Sequence, residues 1–167
     1  MQIVSVDKDF FAKCKKYGTD RELLYDKQGR PCVLIVDLVY KGQKHTFVVP
    51  LRSNIAKNVP KSQYFPLPPN ASTQPGKRHG VHYIKLFPMD KKYVHPYKIS
   101  QSAYLVMVKG ILDKNECKII NDCQSYLNEY EKGHGSSMTP DIDGILSWLY
   151  GLRTIIEWWL IKECKWM

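Results

Sequence analysis

The sequence predicts an α+β fold in one domain over residues 1–167, with a basic, mainly β part over residues 1–100 and a mainly helical part over residues 101–167. Three observations predict this class. An apolar, β-branched hairpin pattern spans residues 32–51, amphipathic helix patterns follow residue 113, and the length suits a single ordinary domain.

The chain opens with a predicted strand and helix. The strand is Ile3-Val4-Ser5-Val6, and Asp7 can cap a helix in which Phe10, Cys14 and Tyr17 recur at helical spacing. This start lacks the basic and apolar regions of a secretory signal, so we expect none.

The hairpin is the clearest element of the sequence. Residues Cys32 to Tyr40 are almost continuously apolar, Lys41-Gly42 is typical of a tight turn, and His45 to Leu51 resumes as a second strand. Two adjacent antiparallel strands are therefore predicted.

The segment from Pro60 to Gly80 changes composition to Pro, Ser, Asn and Gly. We expect no regular structure in it, and a loop of this length inside a compact domain is usually functional or mobile. A third strand is predicted over residues 81–87, ended by Pro88.

Two helices are predicted in the last third. Asp113 to Glu116 has the form of a capping box, followed by an apolar stripe at Cys117, Ile120, Cys123, Leu127 and Tyr130. After a Gly- and Ser-rich linker, Thr139 and Pro140 suit the N-cap and first residue of a longer, Trp-rich helix. Its wide apolar face between residues 145 and 161 favours core packing over a homo-oligomer contact.

The charge is unevenly distributed. The formal net charge is +9, and residues 1–100 contain 18 Lys or Arg against 7 Asp or Glu, whereas residues 101–167 contain 7 against 9. This imbalance favours an anion-binding face in the first part over an evenly solvated surface. Charge alone leaves RNA, DNA and an anionic membrane open.

The cysteines and the apolar segments indicate a soluble, cytoplasmic protein. Five cysteines, an odd number without a C-x-x-C pair, favour reduced thiols over a disulfide framework or a zinc site. The most apolar segment contains Arg153 and Glu157, which are costly at a bilayer centre, so we expect no membrane association.

Three segments carry a resemblance to a known family. They are IVSVDKDFFAKCKKY at the start, the hairpin VLIVDLVYKGQKHTFVVPLRSN, and GVHYIKLFPM after the loop. They resemble the ToxN/AbiQ superfamily of type III toxin–antitoxin endoribonucleases, which includes TenpN-like and CptN-like toxins. The resemblance implies a strongly bent antiparallel β-barrel, MazF/Kid-like and SH3-like, with attached helices and a C-terminal helical pair.

The resemblance also implies a function. Such a toxin cleaves single-stranded RNA without a metal or other cofactor and is inhibited by a small repeated, pseudoknot-like RNA antitoxin, with cellular or phage RNA as substrate. A ring-like assembly with the antitoxin RNA and a role in phage defence by abortive infection follow from the same likeness. The alternatives are a non-catalytic RNA-binding module and a protein-interaction domain that uses the Trp-rich helix.

The family hairpin leads into a Pro-Leu-Thr/Ser-Ser element with a nearby Lys, and here it reads Pro50-Leu51-Arg52-Ser53-Asn54 with Lys57 following. Arg52 stands where Thr is common, and Lys57 lies four residues after Ser53 instead of about two. Metal-free cleavage requires that the 2′-hydroxyl be oriented and the phosphorane charge stabilised. We therefore predict Ser53, Arg52 and Lys57 as catalytic, with Ser53 hydrogen-bonding the scissile phosphate.

Further residues are predicted to bind RNA: Arg30, His79, His82, Tyr83 and Lys85. Arg30 precedes the second strand, the histidines can shuttle protons near neutral pH, and Tyr83 and Lys85 alternate to one strand face. The alternative for each is a structural or solvated residue. His79 and His82 also form half of a metal site, a weak signal without a Cys or carboxylate at ligand spacing.

Overall fold

The computed structural model describes residues 1–23 and 30–151 and has the predicted α+β class. Its strands are β1 (Gln2–Val6), β2 (Cys32–Tyr40), β3 (Gln43–Ile55), β4 (Tyr64–Leu67), β5 (Arg78–His82), β6 (Phe87–Pro88) and β7 (Val94–Pro96). Its α-helices are α1 (Lys8–Lys16), α2 (Ala103–Lys114), α3 (Glu116–Glu129) and α4 (Ile142–Tyr150).

The strands form one antiparallel sheet in the order β4-β5-β3-β2-β1-β7, with β6 also paired to β3. Strand β3 is long enough to pair with two different strands, one after the other along its length. Its residues 43–50 pair with β2, and its residues 51–55 pair with β5. The predicted combination of an antiparallel sheet with helices is confirmed. Closure of the sheet into a barrel is not confirmed, because no pairing joins β4 to β7 within the described residues.

A β-bulge interrupts the pairing of β3 with β5. Arg52 pairs with Gly80 and Ile55 pairs with Arg78, so Ser53 and Asn54 together oppose His79 alone. A bulge bends its strand and turns side chains away from the regular alternation. Ser53 and Asn54 are the residues redirected in this way.

The first half of the chain largely confirms the predicted elements. Asp7 caps α1 by accepting a hydrogen bond from the Asp9 amide, and Phe10 and Cys14 are buried. The hairpin turns at Lys41-Gly42, where both residues have positive φ, as the twist of a two-residue hairpin loop requires. Strand β3 is longer than predicted, because it continues past Leu51 into the pairing with β5.

The predictions for residues 60–87 need correction. Strand β4 and the start of β5 lie inside the segment that was expected to be irregular. Pro66 is compatible with β4 because this strand is at the sheet edge. The predicted third strand is also wrong in its second half: β5 ends at His82, and Tyr83–Lys85 form a 3-10 helix, so Tyr83 and Lys85 do not share a strand face.

The predicted capping box is wrong. Asp113 belongs to the last turn of α2 and accepts a hydrogen bond from the Met1 ammonium group at 2.7 Å. Helix α3 begins at Glu116 without a side-chain cap from Asn115. Its predicted apolar stripe is confirmed at the buried Cys123 and Leu127 but is wrong at Cys117, which is exposed.

The N-cap predicted at Thr139 is also wrong. Asp141 caps α4 by accepting from the Gly144 amide at 3.0 Å, while Thr139 is buried and its hydroxyl lies 2.5 Å from that of Tyr126. Within α4, Trp148 packs on Phe10 with ring centroids 5.5 Å apart, which supports core packing of this part of the helix. The predicted continuation to residue 161 lies outside the described residues.

Alternate residues of β3 face two separate buried clusters. Phe47, Val49 and Leu51 join the cluster that contains the inner faces of α2 and α3, whereas Val48 joins the cluster around α1. The middle of the strand, residues 47–51, is therefore buried between these clusters, and the polar residues Arg52, Ser53 and Asn54 follow it near the end of β3. None of the helices in residues 1–23 and 30–151 has the length and apolar character of a membrane span.

Candidate functional site

A pocket of about 320 Å³ lies where the end of β3, the residues before β2, the 70–72 loop and the start of α2 meet. Its lining consists of Arg30, Pro31, Leu51, Arg52, Ser53, Asn54, Asn70, Ser72, His79, Tyr104 and Leu105. One part is apolar or aromatic, and the other carries cations, amides and hydroxyls. No Asp or Glu of the described residues lines it.

Two guanidinium groups give the pocket its charge. Arg30 and Arg52 both line it, and neither forms an ion pair within residues 1–23 and 30–151. Burial, followed by repulsion from Arg30, lowers the pKa of Arg52. An anion bound against both groups would relieve this repulsion, and the forked guanidinium suits phosphate oxygens.

Ser53 is held by an amide whose orientation is determined. Asn70 Oδ1 accepts hydrogen bonds from the Ser72 amide at 2.9 Å and the Thr73 hydroxyl at 3.1 Å. The other end of the group must therefore be Nδ2, and it donates to Ser53 Oγ at 2.9 Å. Because Ser53 Oγ receives this hydrogen and has no acceptor of its own among the described residues, its hydroxyl hydrogen is available to a ligand.

Asn54, the second bulge residue, fastens the same loop. Its Nδ2 donates to the Ser72 carbonyl at 3.1 Å, and its Oδ1 accepts from the Gln74 amide at 2.9 Å. The bulge and the loop thus hold each other in place. The loop expected to be irregular forms a fixed wall of the pocket.

The two predicted histidines have different environments. His79 lines the pocket, and its Nδ1 lies 2.9 Å from the Pro68 carbonyl oxygen and 2.7 Å from the Tyr104 hydroxyl. Burial lowers the pKa of His79. His82 is buried outside the pocket lining, and its Nδ1 lies 3.2 Å from Arg52 Nη1. In the described part of the chain, no three His, Cys, Asp or Glu side chains form a metal-binding group.

Tyr83 and Lys85 are placed in the core and do not line the pocket. The Tyr83 hydroxyl donates to Asp122 at 3.0 Å, and burial raises the pKa of Tyr83. The Lys85 ammonium contacts the Glu22 carboxylate at 2.6 Å and the Met138 carbonyl at 2.7 Å. These contacts give Lys85 a structural role, tying three segments together.

Lys57 is exposed in the turn after β3, outside the pocket lining, with its side-chain end beside Gly76. The pocket therefore brings together Ser53 and Arg52 of the predicted catalytic set. It adds Arg30 and His79 of the predicted RNA-binding set.

Sequence reasoning missed Asn70, Asn54 and Tyr104. A usable signal was present in the charge pattern, because residues 38–89 contain no Asp or Glu at all. This acid-free stretch includes β3, the loop and β5, which provide most of the pocket. Asn70 also begins an Asn-Ala-Ser-Thr sequence typical of an Asx turn.

Two of the solved structures similar to this chain are of bacterial systems with a non-coding RNA. One is of a bacterial antiviral system regulated by a processed non-coding RNA, with a TM-score of 0.64 and 16% identity over 88% of this chain and 96% of that chain. The other is of a bacterial type III toxin–antitoxin system with selective toxin inhibition by a non-coding RNA pseudoknot; its TM-score is 0.58, with 16% identity over 87% and 94% of the two chains.

No protein-family model and no curated protein matches the sequence. At 16% identity the structural likeness establishes the fold, over nearly the full length of both neighbours. The chain has the fold of a protein from a type III toxin–antitoxin system, as its resemblance to the ToxN/AbiQ superfamily predicts.

Proposed function

We propose that this protein is the toxin endoribonuclease of a type III toxin–antitoxin system. It cleaves single-stranded RNA by attack of a 2′-hydroxyl on the adjacent phosphorus, without a metal ion. The observation that carries the proposal is the grouping of Arg30, Arg52 and Ser53 in one pocket, which no carboxylate of residues 1–23 and 30–151 lines. The fold shared with a type III system supports the same assignment.

The pocket residues suit the charge that develops in this reaction. Arg30 and Arg52 hold the scissile phosphate and offset the extra negative charge of the phosphorane. Ser53 donates its free hydroxyl hydrogen to a non-bridging phosphate oxygen, and it does not act as a nucleophile. The products are a 2′,3′-cyclic phosphate and a free 5′-hydroxyl.

The same face is proposed to bind an RNA antitoxin. In one neighbour a non-coding RNA pseudoknot selectively inhibits the toxin, and the other neighbour belongs to an antiviral system. For this chain we propose a repeated, pseudoknot-like antitoxin that covers the pocket, a ring-like assembly with it, action in the cytoplasm, and release against cellular or phage RNA during phage defence. We also propose that the bent sheet is a MazF/Kid-like barrel.

The predicted Lys57 fits this proposal as part of the approach to the pocket. It lies in the turn that follows the pocket-forming end of β3, within the acid-free stretch of residues 38–89. A flexible ammonium outside the pocket acts as a point charge toward neighbouring phosphates. We therefore expect Lys57→Ala to weaken RNA binding more than it slows the bound reaction.

The test is expression followed by analysis of the RNA ends. The wild-type chain should arrest growth and produce RNA fragments with cyclic phosphate ends, and the purified protein should do so in EDTA. Ser53→Ala should lower kcat about 10²- to 10³-fold, as the loss of one transition-state donor does elsewhere. Ser125→Ala, an exposed serine on α3, is the matched control and should leave cleavage unchanged.

Two results would redirect the proposal. A folded wild type that binds RNA without cutting it would favour the non-catalytic RNA-binding module. Cleavage that requires a divalent ion would contradict the metal-independent chemistry.

A further inference from the structure

We propose that His79 is the general base of this site, accepting the proton of the attacking 2′-hydroxyl at Nε2, and that Tyr104 and the Pro68 carbonyl position it. The inference rests on the proposed endoribonuclease function and deepens it. It is carried by a hydrogen-bond arrangement that permits only one neutral tautomer of His79.

The Pro68 carbonyl oxygen determines this tautomer because it can only accept. It lies 2.6 Å from the Tyr104 hydroxyl oxygen and 2.9 Å from His79 Nδ1. Tyr104 donates to it, so the 2.7 Å contact between Tyr104 and Nδ1 needs a hydrogen from the ring. An unprotonated Nδ1 would instead turn its lone pair toward the carbonyl oxygen. His79 Nδ1 therefore bears the hydrogen, and in the neutral ring the lone pair is on Nε2.

This lone pair is open to the pocket. His79 lines the pocket, and its Nε2 makes no hydrogen bond with any of the described residues. Among the described residues, one side-chain nitrogen or oxygen is both enclosed and without a hydrogen-bond partner, and it is His82 Nε2. His79 Nε2 also has no partner but is not enclosed in this way, so it retains access to solvent. Because the rest of the His79 side chain is buried and His79 lines the pocket, solvent and substrate reach Nε2 through the pocket.

His82 has the opposite arrangement and serves as an internal comparison. Arg52 can only donate, so His82 Nδ1 accepts its hydrogen bond and the ring hydrogen is on Nε2, which is enclosed. Burial, assisted by the positive charges of Arg52 and Lys85, lowers the pKa of His82 to about 3. His82 is thus a neutral support for Arg52 and has no free lone pair to offer a substrate.

The surroundings keep His79 unprotonated at neutral pH. Burial lowers its pKa below the usual 6.5, while the bond to Pro68 acts in the opposite direction. The cations Arg30 and Arg52 line the same pocket from β3 and the residues before β2, and the Tyr104 hydroxyl faces the ring from α2. Burial also raises the pKa of Tyr104 to about 12, so it remains a neutral donor.

The step balances as an acid–base transfer. The 2′-hydroxyl proton moves to His79 Nε2 as its oxygen forms a bond to phosphorus. The bond from phosphorus to the 5′-oxygen breaks, its electron pair leaves with that oxygen, and the oxygen takes a proton from water. His79 then releases its proton to solvent.

The main variant is His79→Asn. The asparagine Nδ2 corresponds to the ring Nδ1–H and can still donate to the Pro68 carbonyl, but no base remains. We expect kcat to fall about 10²- to 10⁴-fold, the usual contribution of a general base. Affinity for an RNA with a 2′-deoxy sugar at the cleavage site should stay within about threefold, because phosphate contacts dominate binding.

The pH dependence separates a base from a structural role. In the wild type, log kcat/KM should rise with pH through the pKa of His79 and level off above it, because only the neutral ring accepts a proton. His79→Asn should lose this acid limb. His45→Asn is the control: burial also lowers the pKa of His45, but it lies at the hairpin end of β3 outside the pocket, so the limb should remain.

A substrate with sulfur in place of the 5′-bridging oxygen distinguishes a base from an acid, because this leaving group needs no proton. The His79→Asn defect should persist with it; rescue by sulfur, or wild-type cleavage by His79→Asn, would overturn the proposal. Should the variant fail to fold, ¹⁵N NMR of the wild type still tests the tautomer, and a hydrogen on Nε2 with none on Nδ1 would contradict it. A wild type that cleaves no RNA would instead refute the proposed function.

Discussion

Reversing the polarity of Asn70 should disable Ser53 without removing it. In Asn70→Asp, one carboxylate oxygen can still accept from the Ser72 amide and the Thr73 hydroxyl, so the loop keeps its bonds. The other oxygen replaces Nδ2 and can only accept, so the Ser53 hydroxyl must donate to it. The hydrogen proposed for the phosphate is then turned away.

The expected magnitudes rank three variants. Asn70→Asp and Ser53→Ala both remove the donor and should each lower kcat about 10²- to 10³-fold. In Asn70→Ala the loop is still held by the bonds of Asn54 to Ser72 and Gln74, and the Ser53 hydroxyl is free to choose among three staggered positions, which should lower kcat only about threefold. The double variant of Asn70→Asp with Ser53→Ala should be far less impaired than the product of the two defects, because both remove the same interaction.

The assay is single-turnover cleavage of a short single-stranded RNA, with thermal unfolding measured in parallel to confirm that every variant is folded. The new carboxylate also repels phosphate, so KM and kcat must be separated, and the donor argument concerns kcat. A kcat for Asn70→Asp no lower than that for Asn70→Ala would refute the proposed direction of the Ser53 hydrogen.

Two further perturbations probe the charges of the domain. Glu22→Gln leaves the buried Lys85 ammonium without its carboxylate and should lower the free energy of unfolding at pH 7 by about 1–3 kcal/mol in urea titrations. The hydrogen bond from Lys85 lowers the pKa of Glu22 in the folded protein. The stabilisation is therefore fully present above the usual pKa of 4.5 and is lost as the pH falls through the folded pKa. A difference in unfolding free energy between wild type and variant that persists below that pH would contradict the ion pair. Arg30→Gln and Arg52→Gln should each reduce the slope of log affinity for single-stranded RNA against log salt by about 0.7, whereas Lys118→Gln on α3 should not change it. An unchanged slope in both arginine variants would place the phosphate contacts elsewhere.

The fold was predictable where the pattern of apolar residues is set by local structure. A continuous apolar, β-branched run and a two-residue turn predict β2 and β3, and helical spacing predicts α1 and α3. Strand β4 was not predictable, because Pro66 and the surrounding prolines indicate a loop and only the tertiary pairing with β5 makes a strand of them. Asp113 shows the same limit: its charge is used by the distant Met1 ammonium instead of a local helix cap.

The site was predictable only in part, for a related reason. Ser53 and Arg52 belong to a continuous motif, so a resemblance in sequence can indicate them. Asn70 and Tyr104 come from separate segments, and no spacing relates them to Ser53 before the chain folds. Lys85 shows the opposite error, because a lysine at a strand end indicates a surface cation until the 3-10 turn directs it into an ion pair with Glu22.

A small residue in β5 allows these distant segments to meet. Gly80 pairs with Arg52, and a Cβ atom there would lie 2.2 Å from the Phe65 carbonyl oxygen of β4. Because this position has no side chain, β4 can approach β5 closely, and the chain that leaves β4 brings Pro68 to His79 and Asn70 to Ser53. The edge strand that is least apparent in the sequence thus delivers both hydrogen-bonding partners on which the proposed chemistry depends.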